Sequence, residues 1–244
     1  MELVRAKDYN DMSRKAANII SAQVILKPKS ILGLATGDTP MGTYAQLAEW
    51  QKKGDCSFAQ CSSYNLDEYV GLTADHPQSY HYFMKKYFFD VVDMDITRTH
   101  VPDGSAADPE AACVEYDRMV AEAGYPDLQL LGIGRNGHIG FNEPDDHFAR
   151  GTHVVDLTES TIEANSRLFD SVDEVPRQAM SMGIQTIMLA RRILVLASGE
   201  EKAQAVRDMV FGLITPRVPA SILQLHPNCT VIADAAALSL CPEE

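Results

Sequence analysis

Positive charge is scarce in this chain of 244 residues: Lys and Arg total 21 against 34 Asp and Glu, a formal net charge of −13. That balance excludes a protein that coats nucleic acid with a basic surface, and it excludes a polybasic membrane anchor. No apolar run approaches the ~18 residues that a membrane span needs. The opening stretch MELVRAKDYN lacks the apolar core of a secretion signal. Cysteine is sparse and unpatterned: Cys56, Cys61, Cys113, Cys229 and Cys241 are odd in number and form no CxxC pair. A reducing compartment is expected, without a disulfide framework or a structural zinc site. Internal repeats, low-complexity stretches and Gly/Ser/Pro linkers are absent as well, so one domain over residues 1–244 is expected. A soluble cytoplasmic protein fits all of these absences.

What is present is ordinary globular material. Hydrophobic residues make up 45% and charged residues 23%, close enough to average to exclude disorder. A chain of this length buries roughly 70–75% of its unfolded surface, enough for a core that needs no staples. Residues 9–24 place Tyr9, Met12, Ala16, Ile19, Ile20 and Val24 on one 3.6-residue face, which predicts a helix. Ser30–Ala35 reads as a buried strand, after which Thr39 as N-cap and Pro40 at the first position open the next helix. A strand near Ser62–Leu66, an aromatic helix from Ser79 to Phe89 and a helix opened by Asp108-Pro109-Glu110 and stopped by Gly124 follow. Leu128–Leu131 and His153–Leu157 read as strands, residues 159–190 as mostly helical, and Ile193–Ala197 as a buried strand. Ser198 and Glu201 form a predicted capping box for a helix ending at Gly212, and Ser221–Leu225 and Thr230–Ala233 close the pattern. Alternation of this kind means an α/β fold, a Rossmann-like and mostly parallel sheet with helices on both faces. Ligands of such sheets sit beyond the carboxyl ends of the strands, so the residues that follow each strand matter most.

Ala35-Thr36-Gly37-Asp38-Thr39-Pro40 follows the first of these strands. A small turn leading into a helix N-terminus offers free N–H groups and a positive dipole end, which suits a phosphate, or it is a plain connection. The charge of Asp38 opposes an adjacent anion. Asn65-Leu66-Asp67-Glu68-Tyr69 follows the next strand. Neighbouring side chains on extended chain face opposite ways, so Asp67 and Glu68 have different roles. Asp67 stands where a general base would, although an exposed acidic loop reads the same way. After Leu131 comes Gly132-Ile133-Gly134-Arg135-Asn136-Gly137-His138, a literal G-x-G-x-x-G with Asp156 further along. A dinucleotide fingerprint must open a helix, and Ile139-Gly140-Phe141-Asn142-Glu143-Pro144 has no helical face, so the match is a decoy. The same segment gathers Asn136, His138 and Glu143, an imidazole flanked by an amide and a carboxylate. Such a group suits acid–base work or a hydrogen-bonded core. Lys202 falls in the first turn of a predicted helix, where a cation opposes the dipole unless an anion is bound. Arg167 could add a bidentate clamp.

These loops, in this order, resemble the glucosamine-6-phosphate deaminases. The matching stretches are LGLATGDTPMGTY (32–44), NLDEYVGL (65–72), LGIGRNGHIGFNEP (131–144), ANSR (164–167), SGEEKA (198–203) and ILQLHPNCTVIAD (222–234). HIGFNEP is the most specific of them, because the related 6-phosphogluconolactonases share the phosphate loop and a Gly-His turn but not that continuation. The resemblance implies a Rossmann-like sandwich without a nucleotide, and conversion of glucosamine 6-phosphate and water to fructose 6-phosphate and ammonia. It implies a phosphate held by Thr36, Gly37, Asp38, Thr39, Arg167 and Lys202. His138, with Glu143 and Asn136, would open the sugar ring, and Asp67 would carry the C2 proton. No metal or organic cofactor is implied. Many members have Asp where Asn136 stands, and a small residue where Asp38 stands; an amide cannot support an imidazolium as a carboxylate does, which shifts that task toward Glu143. The short C-terminal segment resembles that of non-allosteric members, so a monomer is expected, with 158–182 as a lid. A sugar phosphate is then the partner, with neither nucleic acid nor membrane. Two rival readings remain from sequence: a 6-phosphogluconolactonase-type hydrolase, which needs no C2 base, and a non-enzymatic sugar-phosphate sensor.

Overall fold

The structure is a computed structural model that describes residues 1–166, 169, 171 and 174–242. Seven parallel strands make the main sheet: β1 (Glu2–Ala6), β2 (Ile31–Leu34), β3 (Ser62–Asn65), β5 (Thr99–His100), β6 (Leu128–Leu131), β9 (Ile193–Ala197) and β10 (Cys229–Asp234). Their spatial order is β1-β10-β9-β6-β2-β3-β5. A smaller antiparallel sheet joins β4 (Asp67–Tyr69), β8 (Gln178–Ser181) and β7 (His153–Asp156), with Asp67 opposite Ser181. The Rossmann-like, mostly parallel architecture expected from the alternation is the one observed.

The apolar runs explain the layering. All five residues of Ile193–Ala197 are buried, because a parallel strand with helices on both faces has no solvent side. On one face Leu32, Leu34, Leu128, Leu130, Leu194 and Leu196 meet helices α1 (Tyr9–Leu26), α2 (Asp38–Lys53) and α3 (Tyr80–Tyr87) through Met12, Ile20, Leu47 and Met84. On the other, Leu131, Val195 and Val231 meet α4 (Pro109–Ala123), α6 (Ile184–Met188) and α7 (Ala203–Phe211) through Val120, Ile187 and Val206. α5 (Glu159–Ser166) contributes Ile162 to a third cluster, with Tyr69, Phe141, Leu157 and Ala179 near the small sheet.

Several expectations are corrected. Residues 159–190 are not mostly helical: β8 runs through them, all four of its residues paired with β7 and Ala179–Ser181 paired with β4 as well. Ser221–Leu225 belongs to a 3₁₀ segment, Pro219–Leu225, rather than a strand. β1 was not anticipated. α2 starts at Asp38 with Gly37 as its N-cap, so Thr39 lies inside the first turn. No capping box forms at Ser198. Its hydroxyl donates to Asp234, and Gly199 at φ 97° precedes a 3₁₀ turn over Glu200–Lys202 that leads into α7. Arg167 and part of the expected 158–182 lid lie outside the described residues. Among the described residues no helix is long and apolar enough to cross a membrane, and all five cysteines are free and buried.

Candidate active site

The strand order reverses between β2 and β6. From β2 the chain moves outward through β3 to β5, and from β6 it moves the other way through β9 and β10. Crevices in open α/β sheets form at such a switch point. The four adjacent strands β3, β2, β6 and β9 are followed, in that order, by Asp67, the 35–38 turn, the Gly132–His138 turn and the Ser198–Lys202 turn. Four of the motifs singled out from sequence therefore converge because their strands are neighbours, although they span residues 35 to 202.

The Gly-rich turn folds back on itself rather than opening a helix. Gly134 N–H donates to the His138 carbonyl at 2.9 Å, and Gly137, at φ 85°, donates to the Gly134 carbonyl at 3.0 Å. A Cβ on Gly134 would lie 2.4 Å from the His138 ring, so the missing side chain is what lets the imidazole fold over the turn. His138 Nδ1 sits 2.9 Å from Glu143 Oε1. Asn136 connects to both: its Nδ2 donates to Glu143 Oε2 at 2.5 Å, and its Oδ1 accepts from the His138 N–H at 3.2 Å. Asn136, His138 and Glu143 thus form one unit, in which a carboxylate stands beside Nδ1 and leaves Nε2 as the ring's working nitrogen.

Asp67 and Glu68 face opposite ways, as the extended chain requires. Glu68 is buried and accepts backbone N–H bonds from Tyr69, Tyr80 and His81, each at 2.9 Å, so it anchors the first turn of α3. Asp67 is buried too, but its Oδ1 has no hydrogen-bond partner. Its Oδ2 lies 3.7 Å from where a Cβ on Gly140 would stand. Burial, and then the neighbouring Glu68 charge, push the Asp67 carboxyl up to about 8. The carboxyl is poised to exchange a proton near neutral pH, beneath the turn that carries His138.

The remaining residues sit at the other two strand ends. Tyr44 donates its buried hydroxyl to the Ala35 carbonyl at 2.6 Å, fixing the start of the turn that holds Thr36, Gly37, Asp38 and Thr39. Gly37, at φ 91°, offers no side-chain cap to α2. On the β9 side, Asp234 accepts from Ser198 Oγ and the Gly199 and Ala237 N–H groups, fixing the turn that ends at Lys202. Burial lowers the pKa of Lys202; the neighbouring Glu201 charge raises it, and the Arg135 charge lowers it by less. Arg135 was not singled out from sequence; the signal was a cation inside a Gly-rich turn. Lys202 and Arg135 are thus neighbouring cations, with the Glu201 carboxylate beside Lys202, in a chain of net charge −13.

Two further residues escaped the sequence reading. Asn142 Nδ2 donates to the carbonyls of Ile139 and Met182 at 2.8 and 2.9 Å, tying the His138–Glu143 turn to the end of β8. Ser181 Oγ accepts from the Phe141 N–H at 2.9 Å. Asn142 was visible in the motif, whereas nothing local distinguishes Ser181. Among the described residues no group of three His, Cys, Asp or Glu side chains is arranged to hold a metal ion.

Comparison with known proteins bears on this site directly. A family model described as glucosamine-6-phosphate isomerases/6-phosphogluconolactonase matches residues 7–232. The glucosamine-6-phosphate deaminase of Lachnoclostridium phytofermentans is 56% identical over 232 residues, covering 95% of this chain and 98% of that protein. The glucosamine-6-phosphate deaminase of Halothermothrix orenii is 54% identical over 240 residues, covering 98% and 100%. Among solved structures, a monomeric glucosamine-6-phosphate deaminase superposes with a TM-score of 0.95 at 48% identity, over 98% of this chain and 100% of that one. The 6-phosphogluconolactonase of Thermotoga maritima has a TM-score of 0.74 at 20% identity over 96% and 98%, a likeness of fold alone.

Proposed function

The chain belongs to the glucosamine-6-phosphate isomerase/6-phosphogluconolactonase family, and from that premise we propose that it is an aldose–ketose isomerising deaminase. It converts glucosamine 6-phosphate and water to fructose 6-phosphate and ammonia. The observation that carries this choice within the family is the second acid–base group: a buried, partly unpartnered Asp67 carboxyl beneath the turn that bears the His138–Glu143 pair. Lactone hydrolysis needs one group to activate water. Aldose–ketose isomerisation needs two, because a C2 hydrogen becomes acidic only beside a C1 carbonyl, and that carbonyl exists only after the ring has opened.

In this reading the sugar phosphate docks with its phosphate at the 36–39 turn, near Lys202, with Arg167 as a further clamp. His138 Nε2 moves the proton between the C1 hydroxyl and the ring oxygen that opens the pyranose. Glu143 orients the imidazole and supports its charged form. Asn136, which donates to that carboxylate and receives the His138 N–H, holds the pair in register. Asp67 then accepts the C2 proton, forming the enolamine, and returns it to C1. The resulting C2 iminium takes up water, the carbinolamine collapses, and ammonia leaves. The high pKa of Asp67 matches this double duty, since a weakly acidic carboxyl both accepts and returns the proton near neutrality. A sugar phosphate is thus the small-molecule partner, the reaction is a deamination coupled to isomerisation, and the protein works as a monomer in the cytoplasm.

The test is simultaneous assay of ammonia and fructose 6-phosphate from glucosamine 6-phosphate, with Asp67→Asn alongside. Equal appearance of both products, reduced ~10²-fold or more in the variant, is expected. A folded wild type without turnover, or a variant that keeps it, overturns the reading.

A further inference from the structure

We infer that Ser181 is a positioning residue for Asp67, its hydroxyl donating a hydrogen bond to the carboxylate while the C2 proton is transferred; the inference rests on the assignment of Asp67 as the C2 base. The two residues stand directly opposite one another in the antiparallel pairing of β4 with β8. Residues so paired project to the same face, with Cβ atoms about 4.5–5.5 Å apart. Ser181 is fully buried. Its oxygen accepts from the Phe141 N–H at 2.9 Å and lies 3.4 Å from Asn142 Nδ2. With its lone pairs turned toward those donors, the hydroxyl has its own proton left to give. Among the described residues no acceptor takes it.

The acceptor that lacks a donor is across the ladder. Asp67 Oδ1 is buried with no hydrogen-bond partner. Gly140, at φ 58°, borders both side chains: a Cβ there would lie 2.9 Å from Ser181 Oγ and 3.7 Å from Asp67 Oδ2. The hydroxyl and the carboxyl therefore share one small space that the missing side chain leaves open, and a change of Asp67 rotamer would join them.

The titratable groups around Asp67 are occupied elsewhere. Tyr44 of α2, Tyr80 of α3 and Tyr116 of α4 are near enough to feel its charge, and burial raises each well above the ordinary phenol range, so all three stay protonated. Their hydroxyls donate to the Ala35 carbonyl at 2.6 Å, the Tyr69 hydroxyl at 3.3 Å and the Asn65 carbonyl at 2.7 Å. Glu68, next to Asp67 on β4, is held by three backbone N–H groups, and in the turn above Glu143 is paired with His138. Asn65 also has a buried Nδ2 without a partner, but it stands on β3, two residues before Asp67 rather than opposite it. A buried carboxylate without a donor is costly to form. A hydroxyl that gives its proton's hydrogen bond when Asp67 ionises lowers that cost at the step where the C2–H bond breaks. Binding of the sugar and its phosphate is untouched, so the effect falls on kcat.

The experiment compares wild type with Ser181→Ala and with Ser181→Thr, which keeps the hydroxyl. It measures kcat, KM and the pH profile of kcat/KM for glucosamine 6-phosphate, the isotope effect on kcat of deuterium at C2, and the melting temperature. In Ser181→Ala, kcat is expected to fall about 10-fold or more, the size of one hydrogen bond to a charged group, with KM within about two-fold. The ascending limb of the profile moves to higher pH, because the carboxylate has lost a donor. The isotope effect grows, because C2 proton transfer has slowed relative to the other steps. Ser181→Thr brings all three back toward wild type. If Ser181 only tethers the Phe141 turn, the melting temperature falls, the limb stays in place and the isotope effect does not grow, and that result overturns the inference. So does the same set of changes in Asn65→Leu without it in Ser181→Ala. If Asp67→Asn loses turnover while Ser181→Ala keeps it, the base assignment stands and Ser181 has no positioning role. If Asp67→Asn keeps full turnover, the base assignment falls and the inference falls with it.

Discussion

Asp67 and Glu68 are consecutive, both buried, and both raised in pKa by burial, yet they stand in opposite electrostatic surroundings. Glu68 faces the start of α3, where three backbone N–H groups and the positive end of the helix stabilise its charge against burial. Asp67 keeps one buried oxygen that has no hydrogen-bond partner. One carboxylate is satisfied and holds a helix; the other keeps an unpartnered oxygen, as the proposed C2 base requires. A buried acid becomes a working base when the fold withholds the donors that would otherwise fix its charge.

Substitutions at the two positions should separate sharply. The largest effect on stability is expected at Glu68→Ala, which leaves the Tyr69, Tyr80 and His81 N–H groups without their acceptor. At ~1–3 kcal/mol for each buried unsatisfied donor the loss is about 3 kcal/mol or more. At 2–4 °C per kcal/mol the melting temperature falls by roughly 6–12 °C. A change under about 2 °C in a thermal melt would erase the distinction drawn here.

Asp67→Asn is expected to act in the opposite direction. A carboxyl whose folded pKa is raised from 3.8 to about 8 holds its proton more tightly folded than unfolded. Its favourable contribution is therefore complete below pH ~4 and is lost progressively as pH rises toward 8. The amide has no such dependence, so the variant should melt a few degrees above the wild type, with a gap that widens from pH 5 to pH 8. A gap that narrows over that interval would show that Asp67 is already ionised and stabilised in the folded protein.

The finest effect is on rate. As Asp67 ionises, kcat/KM should climb with pH toward about 8. Glu68→Gln removes the neighbouring charge that helps to raise this pKa, so the ascending limb should move to lower pH by less than about one unit. A limb that moves upward, or is lost, would mean that Glu68 takes part in the proton transfer.

Much of this was legible beforehand, for reasons that differ by residue. Ile31–Leu34, Leu128–Leu131 and Ile193–Ala197 could be read because a strand buried on both faces writes itself as an unbroken apolar run. The motif residues could be placed because ligands gather at carboxyl ends of parallel strands. Gln178–Ser181 was hidden because four residues of mixed polarity carry too few periods to tell strand from helix. Ser198 looked like an N-cap from its spacing to Glu201, but its hydroxyl is taken by Asp234, 36 residues away, and tertiary partners leave no local mark. The N-cap of α2 was misplaced for a related cause: Gly37 takes the left-handed conformation that Thr39 would resist. The Arg135–Lys202 neighbourhood emerges only when β6 and β9 are seen side by side.

The pairing of the first strand with the last also sets an order of events during synthesis. β1 is made well before β10, its partner in the sheet among the described residues, which emerges only when residues 229–234 have been translated. Until then β1 lacks that partner, and β9 stands as an uncovered edge. A ribosome that stalls late therefore releases a product with an adhesive flank, a target for chaperones and proteases. Pairing of β1 with β10 closes that edge.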